Sequence, residues 1–238
     1  MTNEIYDELI SGIPESLNVE ELSLGRSWLS ARLSDGGVGI SAHFPGAFKG
    51  FGLISARDAA GAILSDDQER AAAGLAVINA YYNSPARLEA FRCRTDMDAV
   101  CTRGMDVAGK TVGMVGHMGR TARALGAAKK LYVFELDPRP GDLPAEEEPR
   151  LLPECDLVIM TGTVLINHTL PQLLTLCSGA EKILLGPSVP MCPALPVDRL
   201  SGAVITKPRE FSAWNMSYSG SPMSFAESFI LDTKKLRP

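Results

Sequence analysis

The chain has 238 residues, of which 45% are hydrophobic, and it carries 23 Lys and Arg against 28 Asp and Glu. This composition is that of a folded globular protein, and an acidic balance without a basic run argues against nucleic acid and anionic membranes as partners. No apolar run reaches the ~18–20 residues of a membrane helix, and the first residues lack a signal-peptide pattern, so we expect a cytoplasmic protein.

Residues 1–95 predict a small α+β domain. An amphipathic helix from Asn3 to about Ile13 is followed by two stretches with the alternation of β-strands, Leu22 to Leu33 and Gly37 to His43. Residues 43–52 contain three glycines and a proline, which predicts a mobile loop.

A long helix follows this loop. Ser65 to Gln68 has the form of a capping box, and apolar residues then recur at helical spacing as far as Tyr82. Asn79 lies on the apolar face of this helix, where an unpaired amide would cost about 1–3 kcal/mol. Its amide therefore either ties down a neighbouring loop in the core or faces a ligand.

Residues 108–238 alternate β-rich runs with helical segments, the pattern of a parallel sheet with crossover helices. We predict a Rossmann-like, doubly wound α/β domain with a mainly parallel sheet of about five strands, joined to the first domain by a linker at residues 96–107. The five predicted strands are Thr111–Gly116, Leu131–Glu135, Asp156–Met160, Lys182–Gly186 and Ala203–Thr206.

Ligands of such sheets bind beyond the carboxyl ends of the strands. The strands here are apolar, whereas the residues that follow them are small, hydroxyl-bearing or charged. The resulting candidate ligand-binding residues are Gly116, Gly119, Glu135, Asp137, Thr161, Gly162, Thr163, Asn167 and Ser188.

The first strand end carries a Gly113-x-x-Gly116-x-x-Gly119 pattern, with Glu135 nineteen residues after Gly116. The dinucleotide fingerprint is G-x-G-x-x-G, and here its close-approach position holds His117 or Met118. Three interpretations stay open: an NAD(P) site, a site for another anionic or heteroaromatic ligand, or a tight turn that needs glycine.

The three histidines, His43, His117 and His168, show no recognised metal spacing. His117 and His168 both follow strands at the same predicted edge, which makes them the weak candidates for a metal site. The five cysteines, odd in number and without a C-x-x-C pair, indicate reduced thiols, several of them buried.

Several of these segments together closely resemble the heavy-metal chelation family of prokaryotic proteins. The matching segments are Ala76–Ala80, Gly109–His117, Phe134–Asp142, Leu152–Asp156, Ile159–Thr163, Asn167–Thr169 and Leu185–Ser188. The resemblance implies a small domain like the N-terminal domain of enolase, then a Rossmann-like domain, with a site in the cleft between them. It favours Asn79 from the first domain, and from the second His117, Glu135, Asp137, Thr161, Asn167 and Ser188.

The main hypothesis is a protein that binds a small polar or heteroaromatic molecule in this cleft, with His117 or Glu135 as acid or base. The family role implied is making or handling a small chelator, of pterin or flavin type. One alternative is a non-catalytic binder of a metal or metal chelate, and another is a transferase that uses a nucleotide or S-adenosylmethionine. The cofactor stays unknown, and a homodimer is expected only because cytoplasmic enzymes of this size are often dimers.

Overall fold

The computed structural model describes residues 2–52, 54–91, 94–95 and 105–236. The predicted α/β class, with a small α+β part before a larger mainly parallel sheet, is confirmed. Within the described residues, no helix is long and apolar enough to cross a membrane.

The first part packs helices on a three-stranded antiparallel sheet of order β1-β2-β3. Its elements are α1 (Thr2–Ser11), β1 (Val19–Leu24), β2 (Trp28–Leu33), β3 (Val38–Ala42), α2 (Ala56–Ala60), α3 (Gln68–Tyr82) and α4 (Pro85–Ala90). The predicted strand from Leu22 to Leu33 is wrong in extent, because a turn at Gly25 splits it into β1 and β2. Asn215 fills the space where a side chain at Gly25 would lie, which makes this turn depend on glycine.

The long helix α3 is almost completely enclosed, since only Gln68 and Arg70 escape burial. Its start differs from the predicted capping box. The N-cap is Asp67, whose carboxylate accepts the N–H of Arg70 at 3.0 Å, while Ser65 accepts only the N–H of Asp67. The short 3-10 turn that ends at Leu64 places Ser65 too early in the chain to cap the helix.

Replacing the observed cap gives a direct test of the helix boundary. We expect Asp67→Ala to lower the free energy of unfolding by about 1 kcal/mol, because the first turn loses a side-chain acceptor. Ser65→Ala should cost less. Urea unfolding of both variants measures the two losses in the free energy of unfolding. A larger loss for Ser65→Ala would support the capping box that the sequence predicts.

The second part contains all five predicted strands in a larger sheet, whose order is β4-β11-β10-β9-β8-β5-β6-β7. Its elements are β4 (Arg94–Thr95), β5 (Thr111–Val115), α5 (Gly119–Ala124), β6 (Lys130–Glu135), β7 (Leu143–Pro144), α6 (Glu148–Leu151), β8 (Leu157–Thr161), α7 (Leu170–Leu176), β9 (Glu181–Leu185), β10 (Arg199–Ile205), α8 (Pro208–Ser217) and β11 (Ala226–Leu231). Strands β5 to β10 pair in parallel, whereas β11 and β4 extend the sheet antiparallel. The prediction of about five strands missed three strands of this sheet: β4, β7 and β11. The strands β4 and β7 have only two residues each and leave no periodic pattern.

The two parts share one hydrophobic core, in which Leu75 and Ile78 of α3 belong to the same buried cluster as Met160 and Leu184. The predicted linker, 96–107, lies mostly outside the described residues, and the division into two domains stays a prediction. Cys155, Cys177 and Cys192 are buried free thiols, as predicted, while Cys93 and Cys101 lie outside the described residues. Burial raises the pKa of Cys155 to about 11, which keeps it in the unreactive thiol form.

Candidate functional site

The strand order of the larger sheet reverses at β5, because β6 lies on one side of it and β8 on the other. Such a switch point is where doubly wound sheets place their ligands. A cavity of about 70 Å³ lies there, at the carboxyl ends of β5, β6 and β8. Its wall includes Gly116, and its polar side chains are Glu135, Glu148, Thr161, Thr163, Asn167 and Thr169.

Gly116 allows β5 and β8 to approach each other at the cavity. Its φ of 89° lies in the left-handed region, and a Cβ added there would come within 2.6 Å of Thr161 Cγ2. The glycine at this turn is therefore required by both backbone and packing. This requirement fits the interpretation of a tight turn and leaves ligand binding at the same place open.

Glu135 is held rigidly by the backbone. One carboxylate oxygen accepts the N–H of His117 at 2.8 Å, and the other accepts the N–H of Leu136 at 2.9 Å. Since a carboxylate has about four acceptor positions, two remain for a ligand. Glu135, at the end of an apolar strand, thus has a fixed orientation and can still accept hydrogen bonds from a ligand.

His117 pairs with Asp142, a residue that sequence reasoning did not select. The ring nitrogen Nδ1 lies 2.8 Å from a carboxylate oxygen of Asp142, whose side chain is almost fully buried. Burial opposes ionisation of Asp142, but the hydrogen bonds from His117 and from the N–H of Arg139 hold its pKa below the usual value. The pair fixes Nδ1 as the donor, which leaves Nε2 of a partly exposed ring to take or give a proton.

The loop after β8 supplies hydroxyl and amide groups. Asn167 Oδ1 accepts both the hydroxyl of Thr169, at 2.8 Å, and its N–H, at 3.3 Å. The amide nitrogen of Asn167 and the hydroxyls of Thr161 and Thr163 make no hydrogen bond among the described residues and border the cavity. These groups are available to a ligand.

Glu148 is a second carboxylate of the cavity that the sequence did not reveal, because its acidic stretch reads as a solvated surface. Burial, with a smaller contribution from the charge of Glu146, raises its pKa from the ordinary 4.5 to about 7. Near neutral pH this group therefore exchanges between a neutral and an ionised form inside a candidate site.

The raised pKa predicts a pH-dependent stability. The neutral form of Glu148 favours the folded state fully below pH ~4.5, and this contribution is lost as pH rises through about 7. We expect Glu148→Gln to unfold at a higher temperature than the wild type at pH 8, with a much smaller difference at pH 5. Thermal unfolding across this range tests it, with Glu89→Gln at an exposed helical position as the control; a gap that is constant with pH would contradict the assignment.

A second polar centre lies in the first part, between the end of the predicted strand at His43 and the predicted long helix, at residues that the sequence did not select for a ligand. His43 Nε2 lies 3.2 Å from Glu69 Oε1, and the other oxygen of Glu69 accepts the N–H of Phe48 at 2.7 Å. Glu69 is 5% exposed, and Nδ1 of His43 is buried without a partner among the described residues. Predicting this pair from the sequence would have required knowing that β3, which ends just before His43, packs along α3.

The loops of the larger sheet connect the cavity to this second centre. The hydroxyl of Ser188 accepts the N–H of Ala42 at 2.9 Å, one residue before His43. Gly162 packs so closely on Ser188 that an added Cβ would lie 2.7 Å from its carbonyl carbon. Ser188, in the loop after β9, therefore contacts both Gly162, directly after β8, and Ala42 at the end of β3.

Three other predicted residues do not border the cavity. Asn79 is fully buried, and its amide nitrogen donates to the carbonyl of Ile40 at 2.7 Å, which holds β3 on α3. Its Oδ1 has no partner among the described residues. Asp137 is exposed, and Gly119 begins α5 beside the His117 ring. Their roles towards a ligand stay predictions.

His168, a weak metal candidate, holds the loop after β8 against the first part. Its φ is 60°, and its Nε2 donates to the carbonyl of Ile63 at 2.7 Å. The described residues contain no group of three or more His, Cys, Asp or Glu side chains arranged to hold a metal ion.

Two larger depressions, of about 730 and 420 Å³, lie away from the switch point. One lies between the small sheet and α8, and the other between α1 and α7. Neither contains a residue that the sequence selected. We favour the smaller cavity because polar groups from separate strand ends converge on it.

Comparison with known proteins identifies relatives of both parts. A family model, DUF364, described as "Putative heavy-metal chelation", matches residues 102–227, and DUF4213, with the same description, matches residues 6–82. An uncharacterised protein of Methanocaldococcus jannaschii is 39% identical over 92 residues. That match spans 36% of this chain and 36% of the relative.

Two crystal structures of proteins of unknown function from the DUF364 family share the fold. The one from Desulfitobacterium hafniense is 30% identical, covers 96% of this chain and 98% of its own, and has a TM-score of 0.87. The one from Pyrococcus horikoshii is 18% identical, with coverages of 97% and 99% and a TM-score of 0.82, and supports the fold alone.

Proposed function

Because the chain belongs to the heavy-metal chelation family, we propose that it binds a small polar or heteroaromatic molecule at the switch point and makes or handles it as a metal chelator. The observation that carries this proposal is the cavity, where groups from three strand ends converge: Gly116 after β5, Glu135 of β6, and Thr161 of β8. Fixed acceptors beside free hydroxyl and amide groups are what a small polar ligand needs for orientation.

In this proposal, residues of the first part lie at the same edge of the molecule as the cavity. The contact between Ala42 and Ser188 joins the end of β3 to the loop after β9, and His43 with Glu69 follows directly. A ligand larger than the cavity would extend from Glu135 along the loop after β8 towards this pair. The arrangement supports a site between two domains, residues 1–95 and 108–238.

The chemistry that the residues support is proton transfer. His117, oriented by Asp142, offers Nε2 as the base or acid, and its N–H fixes Glu135 in the cavity wall. Glu148, with a pKa of about 7, supplies a second group that exchanges a proton at neutral pH. A reaction on a bound heterocycle would use His117 at the rim and Glu148 inside.

A thermal-shift series tests the proposal on the purified full chain. The panel contains pterins, flavins, nicotinamide cofactors, S-adenosylmethionine and divalent metals with a chelator control. A ligand at about 100 times its Kd stabilises the folded state by roughly 2.7 kcal/mol, which is several degrees for a chain of this size. We expect an organic ligand to raise Tm, and a shift with metal alone, reversed by chelator, would overturn the proposal.

Two variants connect such a shift to the cavity. Glu135→Gln removes the charge and one acceptor, so the shift should shrink, whereas the exposed Glu89→Gln should leave it unchanged. His117→Ala separates catalysis from direct metal binding: conversion of the ligand should fall if His117 transfers a proton, and bound metal should fall if it is a metal ligand.

A further inference from the structure

The groove between α1 and α7 lies apart from the switch point, and its lining shares no residue with that of the switch-point cavity. We call it the α1–α7 groove. Its volume is about 420 Å³, which is in the range of small-molecule sites. One wall, α1, belongs to the first part of the chain, whereas α7 and the segment that contains Ala194 and Pro196 belong to the second. A ligand in this groove would therefore contact both parts.

The groove stays open because one of its walls carries short side chains. Ala194 and Pro196 border it, while Leu195 and Val197, which alternate with them, are buried at 2% and 0% exposure. The N–H of Leu195 donates to the carbonyl of Cys192 at 3.2 Å, and the N–H of Val197 donates to the carbonyl of Leu195 at 2.8 Å. Because two buried side chains and two local hydrogen bonds fix this segment, the groove is preformed.

Apolar side chains of both helices border the groove. Ile5 of α1 and Leu174 of α7 are only partly buried, although each packs against the main hydrophobic core. Pro171, in the first turn of α7, borders the groove as well. An apolar body placed between the two helices would remove the exposed surface of these side chains from water, which favours binding.

The charged side chains of the groove have one sign. Glu4 and Glu8 lie one turn apart on α1, and both are exposed and border the groove. Within the described ranges, no Lys, Arg or His side chain borders it. The groove therefore attracts a positively charged group and repels an anion. A second copy of the chain is a poor occupant, because a two-fold contact centred here would bring the same carboxylates together.

We infer that the α1–α7 groove binds a small organic cation, whose ammonium group pairs with Glu8 and Glu4 and whose apolar body lies against Ile5 and Leu174. Carboxylates beside an apolar surface fit such an amphipathic cation better than a metal ion, because a metal ion takes oxygen ligands and gains nothing from apolar walls. The inference concerns a second site and does not depend on the function proposed for the switch-point cavity.

Isothermal titration calorimetry of the full chain with two probes of the same ring and opposite charge tests the inference. The probes are 1-naphthylmethylammonium and naphthalene-1-sulfonate. We expect the ammonium to bind with a Kd below about 1 mM and the sulfonate to bind at least about fivefold more weakly. Glu8→Gln should weaken binding of the ammonium by about threefold, as expected for an exposed ion pair.

Two further variants locate the binding. Glu8→Lys should reverse the preference, so that the sulfonate binds more tightly than the ammonium. Glu89→Lys, which changes the net charge equally at an exposed position of α4, should leave both affinities unchanged. Ala194→Trp fills the groove without changing its charge and should abolish binding of both probes. All three positions are exposed, so we expect the variants to fold, and thermal unfolding checks this.

Three results would overturn the inference. The first is equal binding of the two probes, and the second is no binding of the ammonium at millimolar concentration. The third is a preference for the ammonium that survives Glu8→Lys and Ala194→Trp, because the cation would then bind elsewhere. If one of these two variants fails to fold, the result for the other decides.

Discussion

Gly39→Ala is expected to lower the free energy of unfolding by about 3 kcal/mol or more, since overpacking against atoms that cannot move is among the costliest changes in a core. Gly39 lies in β3, where the strand passes over α3. A Cβ added there would lie 2.0 Å from the backbone nitrogen of Ala80 and 2.4 Å from the carbonyl oxygen of Ala76. Both neighbours are helix backbone, so no change of side-chain rotamer relieves the contact.

The expected loss should lower Tm by roughly 6–12 °C in a chain of this length. Gly61→Ala is the matched control, because Gly61 has a helical φ of −57° and nothing within 4 Å of an added Cβ. Thermal and urea unfolding of both variants give the comparison. Equal stabilities for the two variants would show that β3 and α3 can separate at little cost.

The strands of the larger sheet were predictable because strands buried on both faces are continuous apolar runs. Of the nine residues that the sequence selected at the strand ends, five border one cavity: Gly116, Glu135, Thr161, Thr163 and Asn167. The other four, Gly119, Asp137, Gly162 and Ser188, are not part of its lining. Parallel pairing brings strand ends to one edge regardless of loop detail, which is why this part of the site could be read from spacing.

The residues that sequence reasoning missed depend on contacts between distant segments. Glu148 lies in an acidic stretch whose burial depends on how the chain between β6 and β8 folds back on the sheet, which no local pattern records. His43 acquires a partner only because β3 runs along α3 to Glu69. Helical spacing placed Asn79 on an apolar face but could not show that β3, and its carbonyl at Ile40, covers that face.

Asn83 illustrates the same limit and carries the second large effect. It lies one turn after Asn79, at the end of α3, where its sequence context suggests only a helix terminus. In the fold its amide nitrogen donates to the carbonyls of Val189 and Ala203, and its oxygen accepts the N–H of Met191. One buried side chain therefore satisfies three backbone groups of the second part from a helix of the first.

We expect Asn83→Ala to cost about 3 kcal/mol or more and to lower Tm by roughly 6–12 °C, because it leaves one buried N–H and two buried carbonyls without their partner. Asn215→Ala is the matched control: Asn215 is equally buried at 1% exposure, but its side chain satisfies only the carbonyl of Trp28. In urea unfolding, the free energy of unfolding of Asn83→Ala should therefore be clearly lower than that of Asn215→Ala. Similar losses for the two variants would mean that water replaces Asn83 at the junction, and the contact would then align the two parts without stabilising them.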